Sequence, residues 1–126
     1  MAKSVMEMVA EARAEVPAIT PQEAASLIGR PDVLVVDVRD APELAAGGKV
    51  KGAVHVSRGM LEFKADPRSP AHDPVFDPAK TVILYCGSGS RSALAGKTLK
   101  ELGYRDVRNL GAFEEWVRSG GAVEKP

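Results

Sequence analysis

Two apolar runs stand out along the chain, one over residues 33–36 and one over residues 81–85. Both are rich in β-branched residues and free of charge, which is typical of strands buried on both faces of a parallel sheet. Weaker strand patterns follow at residues 53–57 and 105–110. Residues 58–80 hold four prolines and mixed polarity, which predicts a long connection with a helical turn near its start.

Helical patterns alternate with these strands. Residues 4–16 carry apolar side chains at helical spacing, which predicts a short amphipathic helix that packs on the main body, with a dimer contact as the alternative. A capping box from Thr20 to Glu23 begins the next helix, which Gly29 ends. Further helices are predicted over residues 42–46 and 112–118, and directly after the second apolar run.

Alternating strands and helices indicate an α/β domain with a parallel sheet and right-handed crossovers. The length of 126 residues, with 44% hydrophobic and 27% charged residues, fits one domain with a modest core. We expect residues 1–17 to form an N-terminal helical extension and residues 18–126 to form the main domain.

The charge balance argues against extended polyanion partners. Seventeen basic residues offset seventeen acidic ones, so the sequence predicts neither a nucleic-acid surface nor a membrane partner. No secretory signal pattern and no run of about 18 apolar residues is present, and we expect a cytoplasmic protein. The single cysteine excludes an intrachain disulfide, so any sulfur-loaded form of it must be resolved by another molecule.

That cysteine, Cys86, follows the second apolar run and opens a glycine- and serine-rich loop that leads into a helix. The loop residues are Gly87, Ser88, Gly89, Ser90, Arg91 and Ser92. A backbone that curls here can point successive N–H groups inward and bind an anion, which includes a thiolate. Helix N-termini and cations lower a cysteine pKa, so Cys86 is a candidate nucleophile. The alternatives are a small buried hydrophobe and an ordinary flexible turn.

Other polar residues offer weaker signals. Asp37 and Arg39 end the first apolar run, near the expected mouth of the site, and Arg58 follows the third strand and is a candidate lining residue or a solvated loop charge. His55 and His72 have no second ligand at metal spacing, so we expect no metal and no cofactor.

Three motifs, in order from residue 19 to the C-terminus, resemble the single-domain rhodanese family of sulfurtransferases. The first is residues 36–40 with Glu43, Gly48 and residues 50–53; the second is the Cys86 loop, which matches Cys-x-x-Gly-x-Arg-Ser; the third is residues 110–112 with Trp116. The resemblance implies a three-layer fold with a central, mostly parallel sheet of about five strands and helices on both faces. It also implies that Asp37 and Arg39 act as a structural brace, with Glu43 as a further partner.

For function, the resemblance implies transfer of a sulfane sulfur from a donor such as thiosulfate through a persulfide on Cys86. The acceptor would be cyanide, a thiol or a protein. The Cys-x4-Arg spacing is that of sulfurtransferases, whereas phosphatases and arsenate reductases of the same fold use a loop one residue longer. Arg91 either binds the sulfonate of the donor or turns outward to a carboxylate. A persulfide carrier or a non-catalytic interaction module remains an alternative. The loop lacks the extra cation of members that prefer thiosulfate.

Overall fold

The computed structural model describes residues 2–126; Met1, which belongs to the predicted extension, lies outside the described residues. The helices are α1 (Val5–Glu15), α2 (Pro21–Leu27), α3 (Ala41–Gly47), α4 (Leu61–Ala65), α5 (Ser90–Glu101) and α6 (Phe113–Arg118). The strands are β1 (Val33–Asp37), β2 (Lys49–Val50), β3 (Val54–His55), β4 (Thr81–Cys86), β5 (Asp106–Ala112) and β6 (Val123–Glu124). None of the helices within residues 2–126 is both long and apolar enough to span a bilayer.

The central sheet is parallel and has the order β3-β1-β4-β5. This confirms the predicted α/β class, although the sheet has four strands instead of about five. A fifth segment runs beside β5 but makes only one bridge, between Ala18 and Asn109. It cannot extend further because Pro17 has no N–H to donate and Pro21 already begins α2. Strands β2 and β6 form a separate antiparallel pair that the hydrophobic pattern did not predict.

The side chains of the two central strands alternate between two cores. One core contains Leu34, Val36, Val82 and Leu84, together with Cys86 and with Ala95 and Leu99 of α5. Val35, Ile83 and Tyr85 face the other, which includes Trp116 of α6. Helices therefore cover both faces of the sheet, and the alternation along β4 directs the Cys86 side chain towards α5.

Helix α1 packs against α5, as the amphipathic pattern of residues 4–16 predicts. Its buried positions are Val9 and Ala12, and a capping box at Ser4 begins it. A Cβ atom on Gly96 would lie 2.9 Å from both methyl groups of Val16, so the glycine permits this close approach. At the end of α1, Lys100 Nζ donates to the Glu15 carbonyl over 2.6 Å. The division at residue 17 remains a prediction.

The topology locates a crevice at the carboxyl ends of β1 and β4. These two strands are neighbours, and the chain leaves β1 towards β3 but leaves β4 towards β5, on the opposite side. In open α/β sheets, ligands bind where the connections diverge in this way. Asp37 ends β1 and Cys86 ends β4, so both lie at this edge.

Candidate active site

The thiol of Cys86 lies at the centre of the loop that follows β4. Its side chain is fully buried. The backbone N–H of Gly89 donates to Sγ over 3.0 Å, and the hydroxyl of Ser92 lies 3.4 Å from the same sulfur. Gly89 has φ of +92°, a left-handed conformation that favours glycine, and it directs the chain into α5. The loop is therefore a cradle of donors around the sulfur.

These donors change the acidity of the thiol. Burial alone raises the pKa of Cys86, but the hydrogen bonds of the cradle outweigh burial and lower the pKa below its ordinary value. The largest lowering contribution comes from the hydroxyl of Ser92, followed by the backbone N–H groups of Ser92, Ser88 and Gly89. The cradle thus stabilises the thiolate, the form of cysteine that acts as a nucleophile.

A buried amide braces the cradle from β5. Asn109 Nδ2 donates to the carbonyl of Gly89 over 3.1 Å, and its Oδ1 accepts from the Ser92 hydroxyl at 2.7 Å and from the N–H of Gly111 at 2.9 Å. Sequence reasoning missed Asn109. Its one signal was an amide side chain immediately before the Leu110-Gly111 motif. Asn109 pairs with Leu84, two residues before Cys86, and the register shift follows directly after this pair.

Arg91 does not point freely into the site. Its Nη1 and Nη2 donate to the two carboxylate oxygens of Glu43 over 2.7 and 2.9 Å, which joins the loop to α3. The side-chain hydrogen bond from Arg91 holds the pKa of Glu43 at about 2, well below its usual range. This pairing of Arg91 with a carboxylate is the geometry of the outward brace. Glu43 is the partner of Arg91, not of the Asp37–Arg39 pair.

Asp37 and Arg39 form a buried ion pair at the end of β1. Arg39 Nη2 lies 2.8 Å from Asp37 Oδ2 and also donates to the Gly48 carbonyl over 2.7 Å. The guanidinium lies 4.3 Å above the centre of the Phe113 ring. Both charges are satisfied within the protein, which is the arrangement of a brace that ties β1 to α3 and α6.

Arg58 is held away from the crevice. It donates to Glu62 and to the hydroxyl of Thr98, each over 3.0 Å, so it connects the turn before α4 with α5. His55 and His72 each contact a backbone carbonyl. Within residues 2–126, no group of three or more histidine, cysteine or acidic side chains is placed to hold a metal ion.

Residues 20–119 match the family described as the Rhodanese-like domain. The chain therefore belongs to the rhodanese-like family. This confirms the resemblance that the three sequence motifs indicated, and the match covers the cradle, the Arg91–Glu43 pair and Asn109. Helix α1 precedes the matched region.

Named relatives of this rhodanese-like chain are sulfurtransferases. The thiosulfate sulfurtransferase GlpE of Actinobacillus succinogenes is 35% identical over 108 residues, which cover 84% of this chain and 88% of the relative. The thiosulfate:glutathione sulfurtransferase of Saccharomyces cerevisiae is 30% identical over 103 residues, covering 72% of this chain and 69% of the relative.

Solved structures with the same fold include two of high coverage. A Rhodopseudomonas palustris protein of unknown function, described as a possible tyrosine phosphatase, is 38% identical with a TM-score of 0.91 and covers 98% of this chain and 96% of its own. The polysulfide-sulfur transferase homodimer of Wolinella succinogenes is 35% identical with a TM-score of 0.73, covering 94% of this chain and 85% of its own.

Proposed function

We propose that this protein is a sulfurtransferase that moves a sulfane sulfur from an anionic donor such as thiosulfate to a thiophilic acceptor through a persulfide on Cys86. The observation that carries the proposal is the position of Sγ, buried among the N–H and O–H donors of a short loop at the crevice of the sheet. The activities named for its relatives support the same reaction class.

The reaction has two balanced steps. The Cys86 thiolate attacks the outer sulfur of thiosulfate and forms a new S–S bond, while the electron pair of the breaking S–S bond leaves with sulfite. The cradle donors then hold the negative terminal sulfur of the persulfide. An acceptor such as cyanide or a thiolate attacks that sulfur, takes it up, and the electron pair of the breaking bond returns to Cys86 as thiolate.

The loop residues have distinct roles in this proposal. Gly87, Ser88, Gly89 and Ser90 supply the curved backbone, and Ser92 supplies the hydroxyl beside Sγ. Arg91 fixes the loop through Glu43. Asp37, Arg39 and Arg58 support the surrounding elements and take no part in the transfer.

Mass spectrometry of the intact protein tests the proposal. Wild-type protein incubated with thiosulfate should gain the mass of one sulfur atom and lose it again on addition of cyanide, with release of thiocyanate. The Cys86→Ser variant should gain nothing. Hydrolysis of an aryl phosphate by wild-type protein that takes up no sulfur would contradict the proposal and favour a phosphatase. Loading that reverses only with a protein acceptor, and never with cyanide or a small thiol, would favour a persulfide carrier.

A further inference from the structure

A guanidinium from outside the matched domain lies beside the cradle. Arg13 is in the last turn of α1, and a Cβ atom on Gly89 would lie 3.3 Å from Arg13 Nη2. Gly89 is the residue whose N–H donates to the Cys86 sulfur. The Arg13 guanidinium therefore lies next to the backbone of Gly89, on the side where the loop approaches Gly111.

This charge differs from the other arginine charges near the site in having no partner. Arg91 is engaged by both carboxylate oxygens of Glu43, and Arg39 is engaged by Asp37. Across residues 2–126, the Arg13 side chain makes no hydrogen bond and no ion pair, and the residue is exposed. An exposed guanidinium without an anionic partner is available to an anion that arrives at the thiol.

The position of Arg13 is fixed by the packing of its helix. Val16 fits against Gly96, and Lys100 holds the Glu15 carbonyl, so the end of α1 that carries Arg13 is attached to α5. Gly96 and Lys100 both belong to α5, the helix whose N-terminus forms the cradle. The packing of α1 on α5 thus fixes the backbone of Arg13 relative to the cradle.

We propose that Arg13 is the donor-binding cation of this site, which binds the anionic group of a sulfane donor such as the sulfonate of thiosulfate. The inference rests on the proposed function for the identity of the donor, and it assigns to the N-terminal helix the charge that the loop itself lacks. Arg91, held by Glu43, keeps its structural role while the donor binds.

Kinetics with thiosulfate test the assignment. Arg13→Gln should raise the KM for thiosulfate by about tenfold, equivalent to ~1.4 kcal/mol, with little change in kcat. Arg13→Lys should recover most of the affinity at low ionic strength, and the wild-type KM should rise with salt while that of Arg13→Gln should not. Arg105→Gln is the matched control. Arg105 is also exposed, but it lies at the amino end of β5, whereas Cys86 lies at the carboxyl end of β4.

Alkylation of Cys86 separates this inference from the proposed function. Arg13→Gln should slow modification by iodoacetate, an anion, several-fold relative to modification by neutral iodoacetamide, whereas Arg105→Gln should leave the ratio unchanged. A ratio that is equal in wild type and Arg13→Gln would overturn the inference, whether or not the protein takes up sulfur. If Arg13→Gln changes the ratio of iodoacetate to iodoacetamide modification but thiosulfate never loads the protein, the anion site stands. That result would contradict only the sulfurtransferase proposal.

Discussion

Replacement of Ser92 by alanine tests the origin of thiol activation in this protein. The hydroxyl has one proton and two acceptors, Cys86 Sγ at 3.4 Å and Asn109 Oδ1 at 2.7 Å. When the cysteine ionises, donation to the thiolate becomes favourable, and this hydroxyl makes the largest of the contributions that lower the thiol pKa. Ser92→Ala should therefore raise the pKa of Cys86.

The magnitude follows from the two competing hydrogen bonds. A hydrogen bond to a charged group contributes about 1.5–3 kcal/mol, and the neutral bond to Asn109 that the hydroxyl gives up contributes about 1 kcal/mol. The net stabilisation of the thiolate is then about 0.5–2 kcal/mol, which corresponds to a thiolate fraction roughly 2- to 30-fold lower at a pH below both pKa values. The fold should change little, because Asn109 Oδ1 still accepts a hydrogen bond from the N–H of Gly111 and alanine is a good helix former.

The assay is the rate of Cys86 alkylation by iodoacetamide as a function of pH. The Ser92→Ala profile should lie at higher pH than the wild-type profile and reach a similar plateau once both thiols are ionised. Ser88→Ala is the matched control, because its hydroxyl is exposed and contacts only Ser90 Oγ, at 3.5 Å. A Ser92→Ala profile that coincides with wild type or with Ser88→Ala would show that backbone N–H groups alone determine the acidity of the thiol.

Two further predictions concern the supports of the site. Because the folded pKa of Glu43 is about 2 against an ordinary 4.5, its pair with Arg91 stabilises the protein above pH 4.5 and that contribution is lost as the pH falls towards 2. Both side chains are more than a third exposed, so Glu43→Gln should lower the free energy of unfolding by only about 0.5 kcal/mol at neutral pH in urea melts, with no difference left near pH 2. Gly96→Ala should destabilise the fold by roughly 1 kcal/mol, since the new methyl would lie 2.9 Å from Val16 and overpacking exceeds the gain in helix propensity. The same change in a Val16→Ala background should cost clearly less, with only the 3.2 Å approach to a Val107 methyl remaining, and an equal cost in both backgrounds would argue against the Val16 contact.

Local sequence signals predicted the central strands well. The runs that form β1 and β4 are continuous and apolar because both faces of these strands are buried, so their position needs no knowledge of partners. The edge strand β3 covers only Val54–His55, shorter than the predicted residues 53–57, because it pairs only with the last two residues of β1. The β2–β6 pair was missed because each strand has two residues and carries no measurable period.

The same limit applies within the site. Cys86 and its loop could be predicted because the nucleophile, the glycines and the helix start are adjacent in sequence. The partner of Arg91 could not be predicted, because Glu43 lies 48 residues away in the sequence. From sequence alone, an anionic substrate and a carboxylate side chain are equally good partners for a guanidinium. Asn109 contacts the loop from another strand, 20 residues from Gly89 in the sequence, and no local pattern indicates that contact.

The arrangement separates two electrostatic tasks that one cation often performs together. Hydrogen bonds from the cradle make the leading contributions that stabilise the thiolate, while Arg91, the one charged residue of the loop, is paired with Glu43. The charge that would attract an anionic donor lies instead on Arg13, beside the cradle and outside the loop. Dipoles at contact distance are little affected by salt, whereas an exposed guanidinium is screened by it. Thiol acidity should therefore depend less on ionic strength than donor affinity does, because different groups make the main contributions to the two properties.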